Sequence, residues 1–398
     1  MRIVDLCPYG VYPARSGGHQ LVHQTSTHLG TRHHVFVFAM GLRRFDGFRL
    51  RSFVQRPGGR YIEYRHVTPL TYLSFLRRGR SGLPPLRAST ELRLTAPRVL
   101  RRELAAADVV QVEGPWQLAF ARRAAPRVPL VLVVQNAEGA LLRQRGISSR
   151  LRSLAARIER QGLLDADAVI SLCREDLAAL EAEHGVRPRR AYVCGAGTDT
   201  EAFRPAGEME RAAARSALGL SGPVALFAGS WHPPNRAALG ALRGLAAHEP
   251  EWTFLVVGSV AGPEESNANV RVIGSTAHVG TYFRAADAAL NPMTEGSGIN
   301  LKVLDYLAAG LPTVSTPFGV RGLDVEGVVE VVELEGFPAA LRALAEPEAR
   351  VQRGGKARRA AVDRFGWDAV ARARERIYEE LVGERHGHRG RLSTARPS

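Results

Sequence analysis

Between Asn291 and Leu323 the chain reads NPMTEGSGINLKVLDYLAAGLPTVSTPFGVRGL. This stretch restricts the fold more than any other. It opens as a glycine-bearing loop (Glu295, Gly296, Ser297, Gly298). Ile299, Val303, Leu304, Tyr306 and Leu307 then recur at spacings of three and four, one face of a helix. Gly310 and Pro312 stop that helix, and Thr313–Ser315 reads as a short buried strand. Loop, helix, turn and strand make half of a βαβ unit. The helix start is an anion site, because free N–H groups and the positive dipole end attract phosphate while glycines let the backbone come close. Lys302, one of only two lysines in the chain, lies one turn in, with Asp305 three residues on, suited to ribose hydroxyls. Glu295, before the helix, is suited to sugar hydroxyls. The same spacing also suits an ordinary βα loop with a solvated Lys–Asp surface.

The rest of the chain repeats this alternation. Strands are expected at Ile3–Cys7, Val35–Met40, Ala107–Glu113, Val128–Val134 and Ala168–Ser171. Helices are expected from about His19 to Leu29, in the spacing of Leu92–Leu104, and over Arg143–Leu164 and Glu175–His184. After AYVCGAGTDTEAFRP the pattern restarts. Strands are read at Val224–Ala228, Phe254–Val257, Val270–Ile273 and Ala288–Asn291, with helices beginning near Ala237 and over His278–Ala285. Alternation of this kind predicts two doubly wound, parallel-sheet α/β domains facing a central cleft. The expected divisions are 1–205, 206–365, a C-terminal helix over 366–383 (through about Val382) packing back on the first domain, and a disordered tail over 384–398. The first loop carries Gly17 and Gly18 before a helix but lacks G-x-G-x-x-G, so a dinucleotide fingerprint is not supported. Glu113, Asn136 and Glu138 stand just past strand C-termini, where open α/β sheets bind ligands.

At 398 residues the chain holds two substantial cores. No apolar run approaches the roughly 20 residues needed to span a bilayer. The N-terminal MRIVDLCPYG reads as a first strand and not as a signal peptide. Cys7, Cys173 and Cys194 lack metal-ligand spacing and read as buried, reduced thiols of a cytoplasmic protein. His19 and His23 stand at i, i+4, but no third ligand is near, so no metal site is expected. The formal net charge is +15. Between Gly41 and Leu104, 15 arginines face Asp46, Glu63, Glu91 and Glu103. That excess suits an anionic membrane surface or another polyanion, and equally a solvated arginine-rich surface fixed by base composition. No basic motif interleaved with aromatic residues marks a single-strand nucleic-acid binder.

Gly17-Gly18, VCGAGTDTEAFRP, FAGSWHPPN, VRVIGSTAHVGTYFRAADAALNP and EGSGINLKVLDYLAAGLPTVSTPFGVRGL together resemble the GT-B-fold glycosyltransferases of family 4, the "group 1" retaining nucleotide-sugar enzymes. The resemblance covers almost all of the second domain and scattered points of the first. It implies a donor, a UDP- or GDP-type sugar, held by Gly229, Ser230, Asn235, Arg236, Ser297, Gly298, Ile299, Asn300, Lys302 and Asp305. Glu295 and Lys302 would work at the transferred sugar and phosphate, and Gly17 and Gly18 would close from the other domain. A hydroxyl acceptor (lipid-linked, polysaccharide or natural-product core) would sit near Glu113, Asn136 and Glu138. No cofactor or metal is implied, and the location is cytoplasmic or peripheral on the membrane's inner face.

Three departures stand out. The family's acidic pair is usually two glutamates with seven residues between them, whereas Glu295 and Asp305 have nine. A subset of the family reads Gly-Ile-x-x-Lys-Val-Leu-Glu, which Gly298–Asp305 fits better. Ser-Trp-His-Pro-Pro-Asn replaces the usual Arg and Lys of the first phosphate loop, and Gln135 replaces the histidine often found before Asn136. Two other readings remain: a nucleotide-sugar epimerase of the same fold, and a noncatalytic polyanion-binding protein.

Overall fold

The computed structural model describes residues 1–14, 17–40, 51–73, 84–135, 142, 147–296 and 298–393, the last eight of these as backbone. The chain divides into two compact units, Met1–Gly195 with Val370–Ser398, and Ala196–Ala369.

The first unit is built on an eight-stranded sheet in the order β3-β4-β2-β1-β5-β6-β7-β8. Its strands are β1 (Arg2–Cys7), β2 (His34–Met40), β3 (Phe53–Gly58), β4 (Tyr61–His66), β5 (Val109–Glu113), β6 (Leu130–Val134), β7 (Ala168–Ser171) and β8 (Ala191–Val193). All pair in parallel except β3 with β4. Parallel strands covered on both faces need continuous apolar runs; β6 is Leu-Val-Leu-Val-Val, buried throughout. Strand order reverses between β1 and β5. The hairpin β3–β4 lies where the sequence was hardest to read, between segments 41–50 and 74–83 that fall outside the described residues. The helical spacing of Leu92–Leu104 resolves into two helices, Ala88–Thr95 and Arg98–Ala105. Pro97 between them has no N–H to donate and forces the residue before it out of helical geometry, and Ala96 is accordingly at ψ 119°.

The second unit has a six-stranded, wholly parallel sheet, β11-β10-β9-β12-β13-β14. Its strands are β9 (Val224–Ala228), β10 (Thr253–Val257), β11 (Val270–Gly274), β12 (Ala288–Asn291), β13 (Thr313–Ser315) and β14 (Glu330–Val331). Here order reverses between β9 and β12. Apolar side chains pack on both faces: Phe227, Leu242 and Phe254 on one, Leu226, Leu255 and Tyr306 on the other. The helix after β9 begins at Pro233, earlier than the expected Ala237. Proline suits a first helical turn, where its missing N–H would have had no intrahelical partner.

Expected divisions after 205 and 365 compare with crossings at Gly195/Ala196 and Ala369/Val370. Residues 196–205 are bound within the second unit: Thr198 bridges to Gly366, and the Phe203 ring lies 4.8 Å from Phe283. The C-terminal helix is longer than its apolar content implied. It runs Trp367–Ser393 and does not stop near Val382, which corrects the expectation of a disordered tail from 384 as far as 393; 394–398 lie outside the described residues. Ion pairs take over where apolar packing ends, Glu384 with Arg190 and Arg385 with Asp167.

Candidate functional site

In the second unit a cavity of about 410 Å³ opens where strand order reverses, at the C-terminal ends of β9 and β12. Open parallel sheets leave a crevice at that point because neighbouring connections depart to opposite faces. Its wall comes from the loop after β9 (Gly229, Ser230, His232) and the first turn of the helix that follows it (Pro234, Asn235), the loop after β12 (Met293, Glu295, Gly296), and Ile299 to Lys302 with Asp305 and Phe318.

The helix Leu301–Ala308 buries Val303, Leu304, Tyr306, Leu307 and Ala308, which turns Lys302 and Asp305 toward the cavity. Tyr306 ties it to the sheet, its hydroxyl oxygen accepting the Ala228 N–H at 2.7 Å. Gly296 and Gly298, at φ 132° and 70°, take the loop through backbone geometry that side chains disfavour. A second close approach is at Gly319, whose carbonyl accepts from Asn291 Nδ2 (2.8 Å) and Asn300 Nδ2 (3.0 Å). A Cβ there would stand 2.3 Å from Ser315 Oγ, so only glycine allows this packing.

Among the described residues Lys302 has no carboxylate partner. Its ammonium donates to Asn235 Oδ1 at 2.7 Å, lies 3.8 Å from Met293 Sδ and sits 4.4 Å from the centre of the Phe227 ring. Asn235 is held in turn by donating to the Ser230 carbonyl at 2.9 Å. Withdrawal from water with no compensating anion pulls the Lys302 ammonium down to about 7. Asp305 is the mirror case. Thr198 Oγ1 donates to its Oδ1 at 2.6 Å, yet desolvation pushes the carboxyl up to about 7. The cavity thus carries one amine and one carboxyl, neither with an ion partner among the described residues. An anion entering here would meet a preformed, unpaired positive group.

The residues expected from the sequence separate into groups. Gly229, Ser230, Asn235, Glu295, Ile299, Asn300, Lys302 and Asp305 line the cavity together. Gly298 lies beside it, its carbonyl accepting from Arg321 Nη2 at 3.0 Å. Glu295 is exposed at the rim. Ser297 lies outside the described residues. Arg236 does not line the cavity: its guanidinium pairs with Glu265 at 2.9 Å and donates to the Val260 carbonyl at 3.1 Å. The expected donor contact is corrected on this point, since a glutamate 29 positions along the chain takes the charge. His232, part of the Ser-Trp-His-Pro-Pro-Asn loop, lines the cavity as well, and Met293 and Phe318 do so without having been singled out, since no local spacing marks them.

Gly17, Gly18 and Glu113 belong to the first unit, where Gly17 is exposed and Gly18 packs beside a buried cluster around Glu113 and Gln135. Glu113, at the end of β5, accepts from Gln111 Nε2 (2.8 Å) and Gln135 Nε2 (2.6 Å), and burial raises its pKa. A Cβ on Gly18 would lie 2.7 Å from Gln135 Oε1. The loop after β1 is pinned by Glu63, which accepts the Val11 and Tyr12 N–H groups and forms a fully buried pair with Arg65 at 2.8 Å. Sequence reasoning counted Glu63 only as one acid in a basic stretch. Asn136 and Glu138 lie outside the described residues. His19 and His23 pack against Tyr9 and Tyr12, with ring centres 5.1 and 5.3 Å apart. Cys7, Cys173 and Cys194 are buried and unbridged.

Comparison with known proteins converges on one family. Residues 15–202 match the model described as Glycosyltransferase Family 4, and residues 222–346 match Glycosyl transferases group 1. Over 258 residues the chain is 30% identical to D-inositol 3-phosphate glycosyltransferase of Mycobacterium tuberculosis, covering 58% of this chain and 52% of that protein. The chain thus spans about half the length of the curated relatives it matches. Sucrose-phosphate synthase from Thermosynechococcus elongatus superposes with a TM-score of 0.67 at 19% identity, over 96% of this chain and 100% of that one. HepE of Anabaena, solved in complex with UDP, gives 0.66 at 14% identity over the same shares. At such identities these two structures speak to the fold alone, which is GT-B. With matches to one set of family models across both units, on two parallel-sheet α/β units of GT-B type, the chain belongs to the family 4, or group 1, glycosyltransferases.

Proposed function

We propose that this chain is a retaining glycosyltransferase that moves a sugar from a nucleoside-diphosphate sugar of the UDP or GDP type to a hydroxyl acceptor. The observation that carries the reading is Lys302, a cation with no carboxylate partner among the described residues, on the wall of a cavity at the reversal point of the second sheet. The diphosphate is assigned to Lys302, to backbone N–H groups of Gly229, Ser230 and residues 297–300, and to the start of the helix at Leu301. Asp305 is assigned to ribose hydroxyls and Glu295 to hydroxyls of the transferred sugar. The UDP carried by HepE supports a uridine donor as the first to test.

Chemically, the acceptor oxygen attacks the anomeric carbon as its bond to the diphosphate oxygen breaks. The leaving phosphate takes the hydroxyl proton, so attack and departure share one face and configuration is kept. Charge developing on that phosphate is met by Lys302 and fixed dipoles, and transfer is accordingly proposed to proceed without a divalent cation. Incubation with UDP- and GDP-sugars plus acceptor, in excess EDTA, tests both points. An inverted product anomer, seen by NMR, would overturn retention. Activity lost in EDTA and restored by Mg²⁺ would overturn metal independence. Donor consumed equally without acceptor, giving an isomeric nucleotide sugar, would favour the epimerase.

The acceptor is assigned to the first unit, near Glu113, Asn136 and Glu138. Leu70 and Leu73 are exposed beside the arginine-rich segment, a combination suited to resting on an anionic membrane and meeting a lipid-linked acceptor. Among the described residues no helix is long and apolar enough to cross a membrane. Sedimentation with anionic vesicles that weakens with salt and falls when Arg77, Arg78 and Arg80 become Ser supports the membrane reading; no sedimentation at low salt overturns it.

A further inference from the structure

The first unit holds a second cavity, of about 770 Å³, at the opposite end of its strands from Glu113 and Gln135. It opens at the N-terminal ends of β6, β7 and β8 and is walled on one side by the C-terminal helix. Strands of four or five residues rise about 3.3 Å each, so it lies roughly 13–16 Å from the strand C-termini. Four arginines line it, Arg127, Arg189, Arg190 and Arg385, against two carboxylates, Asp167 and Glu384.

Both carboxylates are already engaged. Asp167 Oδ2 accepts from Arg122 and from Arg385 at 2.9 Å each, and also takes the Leu130 N–H at 2.9 Å. Glu384 pairs with Arg190. Arg127 and Arg189 have no ion-pair or hydrogen-bond partner for their guanidiniums among the described residues. On a convex surface such groups would simply be solvated. In a concave space, field lines from like charges converge and local anion concentration rises. Planar guanidiniums also match phosphate oxygens two at a time.

We propose that this cavity binds a small anion bearing one or more phosphates, at a site separate from the donor cavity of the second unit. The ligand bridges Arg127 and Arg189 to the Arg190–Glu384 and Arg385–Asp167 pairs, and so fastens the segment Leu381–Arg385 of the C-terminal helix to the sheet edge. The inference does not depend on the glycosyl-transfer reading, because the two sites share no residue.

Titration calorimetry of the full chain with sodium pyrophosphate tests it, in the Lys302→Ala background so that the donor cavity contributes little. Pyrophosphate binding should persist in that background and weaken at least about tenfold when Arg127→Ser and Arg189→Ser are added. Both side chains are exposed, so the melting temperature without ligand should not move. Arg127→Lys with Arg189→Lys should keep part of the affinity. Equal affinity with and without the two Ser substitutions, or loss of all binding on Lys302→Ala alone, overturns the proposal. A second arm offers vesicles of phosphatidylglycerol. Sedimentation that falls in the Ser variant assigns the phosphate to a lipid headgroup, whereas unchanged sedimentation assigns it to a soluble anion.

Discussion

The two ends of the second unit's sheet treat charge in opposite ways. At the N-terminal end Asp287, just before β12, is enclosed by Arg211, by Arg215 (2.9 Å) and by Arg350 (3.6 Å), and its Oδ2 also accepts the Val224 N–H at 2.9 Å. At the C-terminal end Lys302 and Asp305 are desolvated with no ion partner among the described residues. One end uses charge to fasten two helices, a strand and a loop together. The other leaves it uncompensated, which weakens the empty protein. Under the proposed function, the difference separates charges that build the fold from charges held for a ligand, in one sheet.

The largest effect expected from this contrast is on Asp287. Asp287→Ala leaves three arginines facing one another and an N–H without its acceptor, and should cost about 3 kcal/mol or more in denaturant unfolding. Lys302→Ala should act the other way round. Affinity for UDP in calorimetry should fall by about 2–5 kcal/mol, while unfolding stability at pH 7 stays equal or rises. If Lys302→Ala unfolds the protein as Asp287→Ala does, the distinction between the two ends collapses.

Titration sharpens the same contrast. The folded-state pKa of Lys302 is lowered to about 7, so the unfolded chain binds more protons between about 7 and 10.5. Stability from this group therefore rises with pH across that window, and its penalty is complete below about 7. Asp305 is raised from 3.8 to about 7. Here the folded state holds the extra proton, stability falls as pH rises between those values, and the penalty is complete above about 7. Lys302→Met should thus stabilise at pH 6 and hardly at all at pH 10.5. Asp305→Asn, whose carbonyl can still accept from Thr198, should stabilise at pH 8 and not at pH 4. Each gain is expected on the order of a few kcal/mol, read from unfolding curves at the paired pH values; gains that ignore pH would remove the electrostatic explanation. The smallest effect concerns the tether between the helix Leu301–Ala308 and the end of β9. Tyr306→Phe leaves the Ala228 N–H without its acceptor and should cost about 1–2 kcal/mol of stability. If Tyr306→Phe lowers UDP affinity but leaves unfolding unchanged, the hydroxyl serves the ligand and not the frame.

The order of strands and helices was open to reading because each follows from a short-range rule. A period of 3.6 places Val303, Leu304 and Leu307 inward and leaves Lys302 and Asp305 on the cavity side of the same helix. Continuous apolar runs such as β6 announce parallel strands buried on both faces. What escaped the sequence was pairing at a distance. Asn235 reaches Lys302 across 67 positions and Thr198 reaches Asp305 across 107, neither marked by any local pattern. Arg236 looked equally suited to phosphate until Glu265 took its charge. Glu384 and Arg385, with no apolar neighbours to place them, extend the C-terminal helix through ion pairs to Arg190 and Asp167. By itself the sequence determined which residues carry charge and which face of an element they occupy, since backbone geometry repeats every few residues. Only the tertiary structure decided which of those charges are neutralised, because the energy of a desolvated ion depends on whether a distant segment brings it a partner.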